Sequence, residues 1–265
     1  MSISIHVENL SKIYNERGEQ STVALDHVSF EISGSDIICI VGPVGCGKTT
    51  LLRILSGLDN KFEGIAEISN SNPNKDQIRT MVFQERALFY WMTALENVAF
   101  GLKCKGISKH ERLAKASQLL ETVGLTDKIR AYPDELSGGQ KQRVALARAF
   151  AIEPDIICLD EPFGSQDYHT RCELQMWLLE MWNRRPNLTI FATHDLEEAV
   201  FLGRRVIVMK DKGHILQIED LGHLVDRTQA FRSTPEFYDV KKHLWELLET
   251  ETIICAKPDN NMSLS

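Results

Sequence analysis

The run Gly42-Pro43-Val44-Gly45-Cys46-Gly47-Lys48-Thr49-Thr50 has the residue types of a phosphate cradle. Glycines at 42, 45 and 47 let the backbone turn tightly, so that several N–H groups point inward. A helix opening at Lys48 adds its positive N-terminal end to that ring of donors. Lys48 is placed to reach the terminal phosphates of a nucleotide. Thr49 is placed to offer a hydroxyl to Mg²⁺, which keeps most of its waters and takes few protein oxygens.

A cradle of this kind needs a strand before it and a helix after it, and both are legible. Ile37 to Val41 are apolar or Cys and β-rich, while Leu51, Leu52, Leu55 and Leu58 recur at helical spacing until Gly57 and Asp59 break the run. Three further apolar runs hand over to a polar residue at their carboxyl ends. Thr80–Phe83 leads to Gln84, Ile156–Leu159 to Asp160-Glu161, and Thr189–Thr193 to His194. A fourth, Arg205–Met209, ends in the turn Lys210-Asp211-Lys212-Gly213. In an open parallel α/β sheet, ligands sit beyond the carboxyl ends of the strands, so these polar residues are expected to converge on the cradle. Singly, each has an ordinary explanation: a loop amide, a solvated turn before Pro162, a companion of an Asp195 helix cap. Together, Asp160 suits the carboxylate that holds Mg²⁺ and its waters, and Glu161 suits the base that orients or deprotonates an attacking water. His194 is expected at the terminal phosphate or that water, and Gln84 at the metal and the water.

Leu136-Ser137-Gly138-Gly139-Gln140-Lys141-Gln142-Arg143 opens another helix, with Val144, Ala145, Leu146, Ala149 and Phe150 as its apolar face. Ser137 with Gln140 three residues on has the form of a capping box. Two adjacent glycines cost about 1 kcal/mol each in a helix interior but clear the backbone for an anion, which predicts a second phosphate-contacting site.

Taken in order, the cradle at 42–49, Gln84, Leu136–Gln140, Asp160-Glu161 and His194 resemble the ATPase subunit of ATP-binding-cassette (ABC) transporters, over about residues 3–215. The resemblance implies an α/β fold: a P-loop core resembling RecA, an antiparallel β flap and an inserted helical subdomain. It implies ATP and Mg²⁺ as cofactors, Tyr14 stacked on adenine, Glu161, His194 and Gln84 as catalytic residues, and Thr49, Gln84 and Asp160 as the metal set. The nucleotide-binding set is Gly42 to Thr50 and Ser137, Gly138, Gly139 and Gln140. It further implies a head-to-tail dimer in which one subunit's Gly42–Thr49 loop and the other's Ser137–Gln140 helix start grip each nucleotide. ATP then acts as glue, and hydrolysis releases the closed state.

Composition is that of a soluble globular protein: 265 residues, 43% hydrophobic and 25% charged. The net charge of −7 disfavours nucleic acid as a partner. Met1 to Glu8 lack a basic start and a continuous apolar stretch, so no signal peptide is read, and cytosolic residence is expected. No window approaches the roughly 20 apolar residues of a membrane span. The six cysteines show no metal or C-x-x-C spacing and read as small core residues. Cys46 is singled out because oriented amides and Lys48 are expected to lower its pKa and expose it to thiol reagents, although a tolerated filler is the ordinary alternative.

The sequence divides into an ATPase domain at 1–220 and a C-terminal helical tail at 221–265. Residues 1–35 and 61–79 read as short alternating strands of the flap. The helical subdomain spans about 85–150, with helices at Ala94–Leu102 and Lys109–Val123 and Gly124 as a stop. In the tail, Pro235 to Thr250 has helical spacing, and the final residues 257–265 read as disordered. The cluster Ala87-Leu88-Phe89-Tyr90-Trp91-Met92 reads as local core on general grounds. The resemblance makes it the groove that receives a short helix of a membrane permease, with Tyr90 or Trp91 at the interface.

Trp91–Val98, Ala192–Ala199 and Pro235-Glu236-Phe237 are similar to the importer branch serving nitrate, sulfonates and taurine. That implies a peripheral subunit on the cytoplasmic face of the membrane, a second cassette, a permease and a soluble substrate-binding protein. Two departures stand out: Gln166 in Gly164-Ser165-Gln166-Asp167, where the family usually has Leu, and Arg86 and Tyr90, where the branch usually has proline. The alternative is a soluble cassette ATPase acting on DNA or ribosomes, which usually carries heptads or a duplication that this chain lacks. A P-loop kinase of small molecules leaves the Ser137 helix start without a role.

Overall fold

Strand β3 (Ile37–Val41) is the axis of the molecule, and all five of its residues are buried. Its side chains alternate between two cores: Ile37, Cys39 and Val41 face one, and Ile38 and Ile40 face the other. A strand covered on both faces needs apolar residues at every position, which is why the sequence reads as an unbroken run. The computed structural model describes residues 3–14, 21–34, 36–70, 77–84, 87–164, 166–224 and 227–250.

β3 belongs to a six-stranded sheet completed by β5 (Arg79–Val82), β6 (Ile156–Asp160), β7 (Leu188–Thr193), β8 (Arg205–Met209) and β9 (Ile215–Asp220). The order is β5-β6-β7-β3-β8-β9, parallel except for the antiparallel β8–β9 pair. Register brings the carboxyl ends level: Val41 lies opposite Thr193, Asp160 opposite Ala192, and Val82 opposite Leu159.

The flap is a separate three-stranded antiparallel sheet, β2-β1-β4, made of β1 (Ile3–Tyr14), β2 (Thr22–Ser33) and β4 (Glu63–Asn70). The strands expected to be short are in fact 12 residues long in β1 and β2. The apparent break is a set of register shifts between Val7 and Ile13, with Asn9 and His27 at φ 49°. A bulge interrupts the two-residue alternation without ending the strand.

Helix α1 (Lys48–Leu55) follows the cradle and packs in the second core, between the main sheet and the flap. On the other face lie α2 (Ala94–Cys104), α3 (Lys109–Thr122) and α4 (Gly138–Ala151), with α5 (Tyr168–Arg184) and α6 (Leu196–Leu202). Gly124, at φ 70°, follows α3 as the expected stop. α7 (Pro235–Thr250) keeps the predicted bounds and packs on α6 through Phe237 and Leu244. The tail beyond residue 250, Ser71 to Asp76, Arg86 and Ser165 lie outside the described residues. Among those described, no helix is long and apolar enough to cross a membrane.

Candidate active site

The cradle closes tightly because two of its glycines, Gly42 and Gly47, sit where no side chain fits. A Cβ at Gly42 would lie 2.1 Å from the Met209 carbonyl oxygen, and one at Gly47, whose φ is 106°, 2.5 Å from that of Ala24. Gly45, at φ 85°, has open space around it. The turn after β8 braces the loop, since the Gly213 N–H donates to the Cys46 carbonyl at 2.8 Å. Gly47 caps α1 without any side-chain hydrogen bond, leaving first-turn N–H groups directed into the loop.

Lys48 is only 6% exposed, and its Nζ donates to the Gly42 and Pro43 carbonyls at 2.8 and 2.9 Å. Among the described residues no carboxylate pairs with it. A buried ammonium held by loop carbonyls alone is poised for an anion. Thr49 Oγ1 donates to Asp160 at 2.9 Å, and burial pushes the Asp160 carboxyl upward, opposed by that bond and by Lys48. Thr50 is buried, whereas Pro43, Val44 and Gly45 face solvent.

The Cys46 expectation is corrected. Its thiol is 1% exposed, and burial pushes its pKa up by more than Lys48 and the neighbouring amides lower it. Cys46 enters the cradle through its backbone, with its sulfur turned into the core.

Glu161 follows β6 at φ 44°, a left-handed conformation unusual for a side chain of this size. Its N–H donates to the Ala192 carbonyl at 2.9 Å, which fixes the turn. The carboxylate then bridges two neighbours: Oε1 lies 3.1 Å from His194 Nδ1, and Oε2 accepts from Gln84 Nε2 at 3.2 Å. The structure therefore gathers Gln84, Glu161 and His194 into one cluster, joined by the Gln84–Glu161 hydrogen bond and the His194–Glu161 contact, beside the Thr49–Asp160 pair at the carboxyl ends of β3, β5, β6 and β7.

Ser137 caps α4 with a complete capping box: its Oγ accepts from the Gln140 N–H at 3.3 Å, and its own N–H donates to Gln140 Oε1 at 2.9 Å. This helix start lines a cleft of about 370 Å³ with Gly124, Arg143, Gln166 and Asp167, and none of the cradle residues lines it. Gln166, in place of the family's apolar residue, lies against its own chain's helix start; a Cβ at Gly139 would stand 2.6 Å from its Oε1. Tyr14 ends β1 half exposed, its hydroxyl donating to Asp59 at 3.4 Å with Lys12 Nζ 4.9 Å from the ring.

Sequence reasoning missed the support behind His194. Glu198, 4% exposed on α6, accepts from Thr193 Oγ1 at 2.7 Å and from Gln175 Nε2 at 3.2 Å, and burial pushes its pKa up to about 7. It also missed Asn97, fully buried on α2, whose side chain bonds Phe89, Met92 and Thr93 backbone groups and so shapes the 87–93 segment. The acid of Ala192–Ala199 and the amide after Thr93 were the available signals.

Residues 25–164 match the family described as ABC transporter. The chain is 40% identical to an uncharacterised ABC transporter ATP-binding protein of Methanocaldococcus jannaschii, over 97% of this chain and 96% of that protein. It is 39% identical to a nitrate import ATP-binding protein of Synechocystis sp., over 94% of this chain and 98% of that one. It is also 36% identical to an aliphatic sulfonates import ATP-binding protein of Bacillus subtilis, over 97% and 98%. A solved dimeric bacterial ABC transporter cassette superposes with a TM-score of 0.72 at 34% identity, over 82% of this chain and 98% of that one. The same cassette solved in a post-hydrolysis state with ADP and Pi also gives 0.72, at 32% identity and the same coverage. With the cradle, the Gln84–Glu161–His194 cluster and the Ser137 helix start in one chain, this protein belongs to the ABC transporter family and is one of its ATPases.

Proposed function

We propose that the chain is the ATP-hydrolysing subunit of an importer for a small oxyanion such as nitrate or a sulfonate, on the cytoplasmic face of the membrane. It would work as a pair of cassettes beneath a separate permease, with a soluble binding protein delivering cargo. The observation that carries the hydrolytic part is the cluster of Glu161 with Gln84 and His194 at 3.2 and 3.1 Å, next to the cradle. The nitrate and sulfonate import names of its relatives support the choice of cargo class.

The geometry supports the following roles. Loop N–H groups and Lys48 bind the phosphates, exchanging the Gly42 and Pro43 carbonyls for phosphate oxygens. Glu161, with an oxygen toward each of two neighbours, orients water for in-line attack and takes up its proton. His194 engages Glu161 through Nδ1, which leaves Nε2 for the terminal phosphate. Gln84 holds Glu161 from the other side. Tyr14 offers a face for adenine.

The metal set is chemically suited to Mg²⁺: a hydroxyl and a carboxylate already 2.9 Å apart, and no described cluster of three His, Cys, Asp or Glu residues that would make an all-protein cage. Thr49, Asp160 and Gln84 would hold the ion, which when bound neutralises charge on the phosphate oxygens.

A groove of about 500 Å³ lined by Trp91, Met92, Leu95, Phe100 and Tyr132, together with Lys103, Lys109 and Arg112, fits a short permease helix with apolar and acidic residues. Trp91 is 70% exposed and Tyr90 78%, available for such contact.

Glu161→Gln preserves the shape of the cluster but cannot accept a proton. It should keep ATP affinity within about twofold, lower steady hydrolysis by more than about 100-fold and accumulate an ATP-dependent dimer. Wild-type turnover in that variant would remove Glu161 from the role of base. Lys48→Ala should instead weaken nucleotide binding itself, as read by titration.

A further inference from the structure

The His194 ring is about half exposed and touches Glu161 through Nδ1, so its position depends largely on the turn that carries it. That turn is held from behind. Thr193 Oγ1 accepts from the Asp195 N–H at 3.0 Å and donates to Glu198 at 2.7 Å, so the residues on both sides of His194 are tied to one buried carboxylate. Glu198 is in turn fixed by α5: Gln175 donates to it at 3.2 Å, and Arg171 reaches both it, at 3.8 Å, and Asp195, at 2.9 Å.

The connection continues out of the ATPase core. Gln175 Oε1 accepts from Arg232, which lies in the 3₁₀ turn Gln229–Ser233 just before α7 and stacks its guanidinium over Phe201 of α6 at 3.8 Å. Lys241 of α7 makes a second tie, to Glu197 beside Glu198, at 2.8 Å. The C-terminal segment thus grips α6 at Glu197, within one turn of His194, and again at Phe201, about two turns along.

Buried charge is a poor way to gain stability, because desolvation offsets most of the attraction, but a connected chain of bonded polar groups favours one geometry, even though Arg171 Nε and Arg232 Nε have no hydrogen-bond partner of their own among the described residues. From this we infer that Glu198 is a positioning residue for His194, and that Arg232, through Gln175, makes that positioning depend on the C-terminal segment being docked. The inference rests on the role proposed above for His194. A displacement of Arg232 would release Gln175 and Glu198 and let the Thr193–Asp195 turn shift, slowing hydrolysis without touching the nucleotide cradle.

The test uses the full chain, measuring steady-state ATP hydrolysis, ATP affinity by titration and thermal midpoint. Arg232→Leu and Gln175→Leu should each lower kcat about 3- to 10-fold with KM and ATP affinity within about twofold, and Glu198→Ala more strongly. The double variant Arg232→Leu/Gln175→Leu should be no slower than either single, because both break one chain of contacts. Arg232→Lys, which keeps a donor, should recover part of the rate. Wild-type kcat in Arg232→Leu and Gln175→Leu, multiplying effects in the double, or a loss of rate in parallel with ATP affinity would each overturn the inference. If Arg232→Leu does not fold, Gln175→Leu and Arg232→Lys decide it by the same criteria. His194→Ala separates the two levels. Inactive His194→Ala beside unaffected Arg232 and Gln175 variants removes only this inference, whereas active His194→Ala removes the role of His194 and the inference with it.

Discussion

Glu198 sets a pH dependence that can be isolated from the rest of the chain. Its carboxyl has an ordinary value of 4.5 and is raised to about 7 in the fold, chiefly by burial and further by Asp195, against the Thr193 bond and the charges of Arg171 and His194. A raised carboxyl binds more protons folded than unfolded, so its contribution to stability is complete below pH 4.5 and is lost as pH rises through about 7. Glu198→Gln carries no such proton. The stability of Glu198→Gln minus that of the wild type should therefore climb between pH 5 and pH 8, by at most about 3 kcal/mol at 1.4 kcal/mol per unit. Urea unfolding of both proteins across that range measures it, and a flat difference would show that the carboxyl titrates where an exposed one does. Cys46 illustrates the same physics with the opposite lesson for reading a sequence. Proximity to Lys48 and the loop amides was visible in the spacing, but the burial that outweighs them was not.

At the scale of elements, the cradle is a joint between β3, α1 and β8, and its glycines do different things. At Gly42 a methyl group would meet the Met209 carbonyl at 2.1 Å and the Cys46 sulfur at 2.9 Å, so β3 and β8 would have to separate. At Gly45 the space is open and only the φ of 85° resists a side chain. Gly45→Ala should cost about 1 to 2 kcal/mol, the penalty of a left-handed conformation, and Gly42→Ala about 3 kcal/mol or more, or prevent folding. Denaturant midpoints of the two variants compare them, and equal values would mean that backbone strain governs both positions.

The legibility of the elements follows the same division. β3, β6 and β7 are buried on both faces and read as continuous apolar runs ending at the cradle, at Asp160-Glu161 and at His194, and the shorter, part-exposed β5 ends two residues before Gln84, so most of the proposed site was visible. β9 was not singled out, because it is an edge strand with half-exposed residues. α5 was not either, since its buried positions include Gln175 among the apolar ones. The Glu198 support joins residues up to 57 positions apart on different elements, which no local spacing reports.

On the function proposed above, one chain holds only half of each active site. Cradle and cluster stand at one edge of the sheet, while Ser137 and Gly139 line a separate cleft with Gln166, so no cavity described here is shared by both halves. Two head-to-tail subunits would place the Ser137 helix start of one over the cradle of the other, and each nucleotide would need one intact half from each chain. That arrangement makes a prediction that a self-sufficient cassette does not. Lys48→Ala removes the cradle half, and Ser137→Arg fills the helix-start half, so either protein alone should be inactive. In an equal mixture, half of the dimers are mixed, and each contains one site with an intact cradle and an intact helix start beside one doubly defective site. If the two sites turn over independently, the mixture should recover about one quarter of wild-type hydrolysis. Recovery should grow with total protein concentration, because it depends on association. No recovery would mean that both sites must be intact for either to act, provided that the mixed dimer forms on ATP in a cross-linking or light-scattering control. Full activity of Ser137→Arg by itself would instead mean that the cradle and the Glu161 cluster hydrolyse ATP without a partner.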